Sequence, residues 1–99
     1  PASALANLDP LVHWLLHTSR SCLMATRGER TRTGAVFGNL GFPSEAMARF
    51  AESVWLGEPA GDPRNRFMSG GTATVVAEAL GLDLGAYCLD AACASALYA

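Results

Sequence analysis

A mixed α/β fold is predicted for this 99-residue chain by two kinds of segment and by their order. Apolar residues recur at helical spacing in three runs, and two short apolar stretches bounded by glycine or turn residues read as strands. Helices and strands alternate along the chain, and the last strand runs through a tight turn into a final helix, an arrangement typical of α/β proteins.

The first helix is predicted over 10–25. Asp9 supplies a capping carboxylate, Pro10 stands in the first turn, and Leu11, Val12, Leu15, Leu16, Ser19 and Leu23 follow near helical spacing. A polar turn over 28–33 leads into Thr33-Gly34-Ala35-Val36-Phe37-Gly38, short and glycine-bounded, the candidate for a central strand. Pro43-Ser44 opens a second amphipathic run, with Met47, Phe50, Ala51, Val54 and Trp55 on one face and Gly57 as its stop. The stretch 57–66, rich in Gly, Pro, Asp and Arg, reads as a linker. Ser69-Gly70-Gly71-Thr72 reads as a flexible turn before a short third helix over 73–80, for which Gly81 suits the left-handed cap position. Ala86-Tyr87-Cys88-Leu89 reads as the second strand, and 90–97 as a turn entering a helix of small residues.

Composition narrows the function classes. About half the residues are hydrophobic and 16% are charged, against a usual charged share of about 25%, so the surface is short of charge. Such a shortage is expected of a piece whose apolar faces are covered by the rest of a larger body. A net charge of -2, no lysine and seven scattered arginines leave no footprint for nucleic acid or an anionic membrane. No apolar run approaches the roughly 18 residues of a membrane span, and no signal-peptide pattern opens the chain, so a cytoplasmic location is expected. Three cysteines without a CxxC pair fit a reducing compartment.

Cys93 is the candidate nucleophile. A strand, a sharp turn and a helix in succession place the turn residue where unpaired backbone N–H groups and the helix dipole favour negative charge. A cysteine there is a thiolate more often than a free thiol of pKa about 8.5, and the same N–H groups suit an oxyanion when sulfur attacks a thioester. Ala91, Ala92, Ala94 and Ala96 leave room beside it. Local physics leaves a second option open, in which Cys93 is one more small buried hydrophobe.

Asp90-Ala91-Ala92-Cys93-Ala94-Ser95-Ala96-Leu97-Tyr98-Ala99 resembles the active-site motif of β-ketoacyl synthases. It is similar above all to the Asp-Ala-Ala-Cys-Ala-Ser-Ser-Leu-Tyr-Ala form found in polyunsaturated fatty acid, enediyne and glycolipid type synthases. Upstream, residues 33–40, 62–70 and 79–82 resemble the family's early strand and the stretch leading to the nucleophile. Two departures stand out. Ser95-Ala96 replaces Ser-Ser, and Gly71-Thr72-Ala73-Thr74 differs from the family's form, which bears on pocket shape and dimer contacts rather than on reaction type.

The resemblance implies a thiolase-like fold, layered α/β/α/β/α, of which residues 1–99 would form a partial amino-terminal domain, truncated after the nucleophile. It implies that Cys93 is acylated from the phosphopantetheine thioester of an acyl carrier protein, with no cofactor bound directly. The acyl group would then be condensed with a carbanion made by decarboxylating a malonyl-type extender, as in polyketide or fatty acid elongation. The Cys93 N–H would form one side of the oxyanion hole. Two histidines, a lysine and the second oxyanion donor lie beyond the nucleophile in the family, so the 99 residues alone are expected to be inactive. The resemblance also implies a homodimer, with the strand at 86–89 pairing across its two-fold axis. The alternatives are another thiolase-family member, such as an initiating synthase, and a non-catalytic truncated or dimerisation piece of the same fold.

Other residues have structural readings. His13 and His17 share a helix face at four-residue spacing, but Trp14 stands where a zincin carries glutamate, so no metal site is assigned. Ser69-Gly70-Gly71-Thr72 lacks the lysine of a phosphate loop. Cys22 and Cys88 read as core thiols, Asp90 as a cap of the final helix, and Trp14, Trp55, Phe37, Phe50 and Phe67 as packing residues.

Overall fold

The computed structural model describes residues 2–39, 44–59, 61–66 and 69–99. Among the described residues four α-helices and two strands follow one another as α1 (Pro10–Ala25), β1 (Ala35–Gly38), α2 (Glu45–Leu56), α3 (Ser69–Leu80), β2 (Ala86–Leu89) and α4 (Ser95–Tyr98), with 3-10 turns at Ala2–Ala4, Arg30–Arg32 and Pro63–Arg66. The mixed α/β class is thus observed.

The strands pair in parallel, Ala35 opposite Ala86 and Gly38 opposite Leu89, so the chain crosses over between them through α2 and α3. On one face Ala35, Phe37 and Ala86 pack against a core of Leu8, Val12, Val76, Ala77, Leu80 and Leu82. This core joins α1 and the turn before it to α3, and α3 to the sheet. Side chains alternate across a strand, so Val36 and Tyr87, partners in the register, lie on the opposite face, and both are exposed. A parallel sheet ordinarily has both faces covered.

Capping chemistry sets the helix bounds. The Asp9 carboxylate accepts from the Leu11 amide at 2.8 Å, with Pro10 at the first helical position. Ser44 caps α2, its hydroxyl accepting from the Met47 amide. Gly57 and Gly81 end α2 and α3 in the left-handed conformation, with φ of 70° and 67°. After α3, the Leu82 amide donates back to the Ala77 carbonyl and its side chain enters the core, the apolar contact that accompanies such a stop.

Several expectations need correction. The third helix starts at Ser69, not at 73, so the segment read as a flexible turn is its first turn. Glycine is costly mainly in a helix interior, and here Thr72 and Ala73 are buried at once, so packing outweighs propensity. The first strand begins at Ala35, and Thr33 instead uses its carbonyl to accept from the Leu84 amide. The stretch read as a linker is tied down: Arg64 is paired with Asp62 and donates to the Ala4 carbonyl at 2.6 Å, while the Asn65 side-chain Nδ2 donates to the Asn7 carbonyl at 2.8 Å. Trp14 and Trp55 are 68% and 90% exposed rather than packed, and Cys22 is exposed rather than a core thiol. Spacing puts apolar residues on one helix face, but it does not say whether a partner covers that face. On α2 Met47 and Phe50 are half-buried, whereas Ala51, Val54 and Trp55 face outward. Residues 40–43, 60, 67 and 68, including the end of the early-strand resemblance, Pro43 before the second helix, and Phe67, lie outside the described residues.

Candidate active site

Cys93 lies in the turn between β2 and α4, and it is exposed. The helix beyond it is a single turn that begins at Ser95 with Ala94 as its cap residue. The sulfur is therefore carried by the turn, two residues short of the helix, rather than by a long helix amino terminus. Two amides expected to be open are also taken: Ala94 N–H donates to the Ala91 carbonyl at 3.0 Å and Ser95 N–H to the Ala92 carbonyl at 3.2 Å. A turn this tight satisfies its own donors first.

The backbone that presents the cysteine is held from both sides. Ala92 has φ of 49°, in the left-handed region that an alanine avoids, at a cost of roughly 1–2 kcal/mol. Its N–H donates to Asp90 Oδ1 at 3.0 Å, and its carbonyl accepts from the Ser95 hydroxyl at 2.7 Å. Ser95 Oγ accepts in turn from the Ala91 N–H at 2.9 Å. Asp90 thus caps the turn at Ala92 instead of the final helix. Ser95 is 5% exposed, so its two hydrogen bonds are shielded from water. No property of Ser95 other than its hydroxyl marked it in the sequence.

The sheet presses on this turn. A Cβ built on Gly38, at the end of β1, would lie 2.7 Å from the Ser95 carbonyl carbon and oxygen and from the Ala96 nitrogen. A glycine at this strand end is required by the close approach of two backbones.

The other cysteines differ. Cys88 lies in β2, half-buried, and burial pushes its thiol up against the smaller opposing effect of the Ala73 backbone. Cys22 stands on the outer face of α1, and none of the three is in a disulfide. His13 and His17 line a shallow concavity with Trp14, and the His13 Nε2 lies 3.2 Å from the Leu8 carbonyl. Among the described residues no group of three or more His, Cys, Asp or Glu side chains is placed to hold a metal ion. A cleft of about 450 Å³ opens between the amino-terminal turn, α2 and the 61–65 segment, and Cys93 does not line it. Among the described residues no helix is long and apolar enough to cross a membrane.

Compared with family models, with curated proteins and with solved structures, the chain matches none of them.

Proposed function

We propose that the chain is part of an acyl-transferring, decarboxylative condensing enzyme of the β-ketoacyl synthase type, with Cys93 as the acyl acceptor. The observation that carries this reading is the exposed cysteine on a turn whose peptides are fixed on either side, within the ten-residue stretch that resembles the synthase motif. Exposure of Val36 and Tyr87 on the uncovered sheet face agrees with a layered thiolase-like body in which further elements cover that face.

In this reading the Cys93 sulfur, as thiolate, attacks the carbonyl carbon of a carrier-bound thioester. A carbon–sulfur bond forms and the carbonyl oxygen becomes an oxyanion, stabilised by the Cys93 backbone N–H. Collapse breaks the bond to the phosphopantetheine sulfur, which leaves as a thiolate and takes up the proton released by the cysteine. The acyl group then awaits a carbanion made by loss of carbon dioxide from a malonyl-type extender. The partners are an acyl carrier protein and a second copy of the chain, and the setting is the cytoplasm.

The reading is tested by incubating the full-length protein with an acyl-phosphopantetheine thioester and mapping the adduct by peptide mass spectrometry. The acyl mass is expected on Cys93. An adduct on Cys22 or Cys88 with Cys93 unmodified rejects the proposal.

A further inference from the structure

We infer that Ser95 is the positioning residue of the acyl-transfer site, its buried hydroxyl bridging the Ala91 N–H and the Ala92 carbonyl to fix the turn that presents Cys93. This rests on the acyl-transfer reading above and adds to it the residue that holds the nucleophile in place.

Three observations converge on Ser95. Its Oγ accepts from Ala91 N–H at 2.9 Å and donates to the Ala92 carbonyl at 2.7 Å, so one hydroxyl spans the 90–91 peptide and the 92–93 peptide that leads into the cysteine. It is 5% exposed while Ala92 and Cys93 beside it are exposed, so the fixed point of the turn is inside and the presented residue outside. Its own backbone is the part of α4 that Gly38 of β1 approaches, so the same residue that holds the turn is seated against the end of the sheet. The path from sheet to sulfur therefore runs from Gly38 to the Ser95 backbone, then through the Ser95 hydroxyl to Ala91 and Ala92, and so to Cys93.

The chemistry of the bridge restricts what can replace it. A side-chain atom that both accepts from one peptide N–H and donates to another peptide's carbonyl is a hydroxyl oxygen. Alanine leaves the Ala91 N–H unpaired and the Ala92 carbonyl with the Ser95 N–H alone, whereas threonine keeps the hydroxyl for both bonds. Asp90 supports the Ala92 N–H, but as an exposed acceptor it competes with water and cannot reach the carbonyl side as a carboxylate. Acyl transfer needs the sulfur within about 3–3.5 Å of the carbonyl carbon and in line with the oxyanion donor. Alkylation by a small reagent needs an accessible thiolate but no alignment with an oxyanion donor. The two reactions at one cysteine therefore separate position from access.

The test compares Cys93 acylation by an acyl-phosphopantetheine thioester with Cys93 alkylation by iodoacetamide, both read by peptide mass spectrometry on the full-length protein. Ser95→Ala is expected to slow acylation on the order of 10- to 100-fold, with alkylation changed by less than about twofold. Ser95→Thr and Ser95→Val form a second pair of nearly equal shape that differs in the hydroxyl. Threonine is expected to keep acylation within about threefold of the parent rate, with valine as slow as alanine. Equal acylation rates in the threonine and valine variants overturn the inference, as does a fall of acylation and alkylation together. A parent protein that is alkylated at Cys93 but never acylated defeats the acyl-transfer reading itself, and the positioning role falls with it.

Discussion

Asp9 and Asp90 both use a side-chain oxygen to accept from the amide two residues on, and in both places a serine completes the arrangement, but the two clamps join different things. Asp90 and Ser95 close a loop of six residues through their bonds to Ala91 and Ala92. Asp9 is 8% exposed and joins three separate segments: one oxygen accepts from Leu11 at the start of α1, the other from Ala46 at the start of α2 at 3.2 Å, and its own N–H donates to Asn65 at 3.0 Å. Burial pushes the Asp9 carboxyl up, but the Ser44 hydroxyl, the Leu11 and Ala46 amides and the nearby His13 outweigh it and hold it below the ordinary carboxylate range. One clamp fixes the turn that carries Cys93 and the other ties separate segments of the fold together. A short hydrogen-bonded loop fixes geometry cheaply, whereas a bond between distant segments stabilises the folded state against the entropy of bringing them together.

The largest expected effect separates the two directly. Asp9→Ala leaves part-buried amides at two helix starts without their carboxylate and is expected to cost about 1–3 kcal/mol in urea unfolding, against about 1 kcal/mol or less for the exposed Asp90→Ala. Equal costs would erase the distinction. Next comes Gly38→Ala, which forces a methyl group against backbone at 2.7 Å and is expected to cost about 1–3 kcal/mol. The same substitution should depress Cys93 acylation, tying the local clamp to the sheet; an unaltered rate would show the turn to be self-sufficient.

Acid sharpens the contrast further. Because the folded-state value of Asp9 lies below its unfolded one, its stabilisation is present above about pH 4 and is lost as pH falls through the lower folded value. Asp9→Asn, measured by unfolding at pH 3 to 7, is expected to flatten that acid limb, and an unchanged profile would assign it to other carboxylates. The smallest effect is expected from Ala92→Gly. It removes left-handed strain while adding backbone freedom to the unfolded chain, for a net gain of up to about 1 kcal/mol in thermal melting. A loss of stability would mean that the bonds from Asp90 and Ser95 depend on the alanine.

Much of the local structure was legible. The bounds of α1, the caps at Asp9 and Ser44, the stops at Gly57 and Gly81 and the strand at Ala86–Leu89 follow from residues within a few positions of one another. Of the candidate site, the placement of Cys93 in a turn after a strand was legible, but its exposure, the self-satisfied amides of Ala94 and Ser95 and the bridging Ser95 hydroxyl were not. Those depend on the sharpness of the turn, which apolar spacing does not encode. The burial of α2 was misjudged for a related reason: Met47 and Phe50 meet a neighbour, while Trp55 on the same run meets water.

By itself the sequence determined where most elements start and stop, because caps, left-handed glycines and apolar periods act over one or two turns. Tertiary structure alone decided that Asp9 reaches α2, that α3 gains its glycine-rich first turn, and that Gly38 meets Ser95. Each of these joins residues far apart in the chain, and their contact exists only once the core of α1, α3 and the sheet has brought them together.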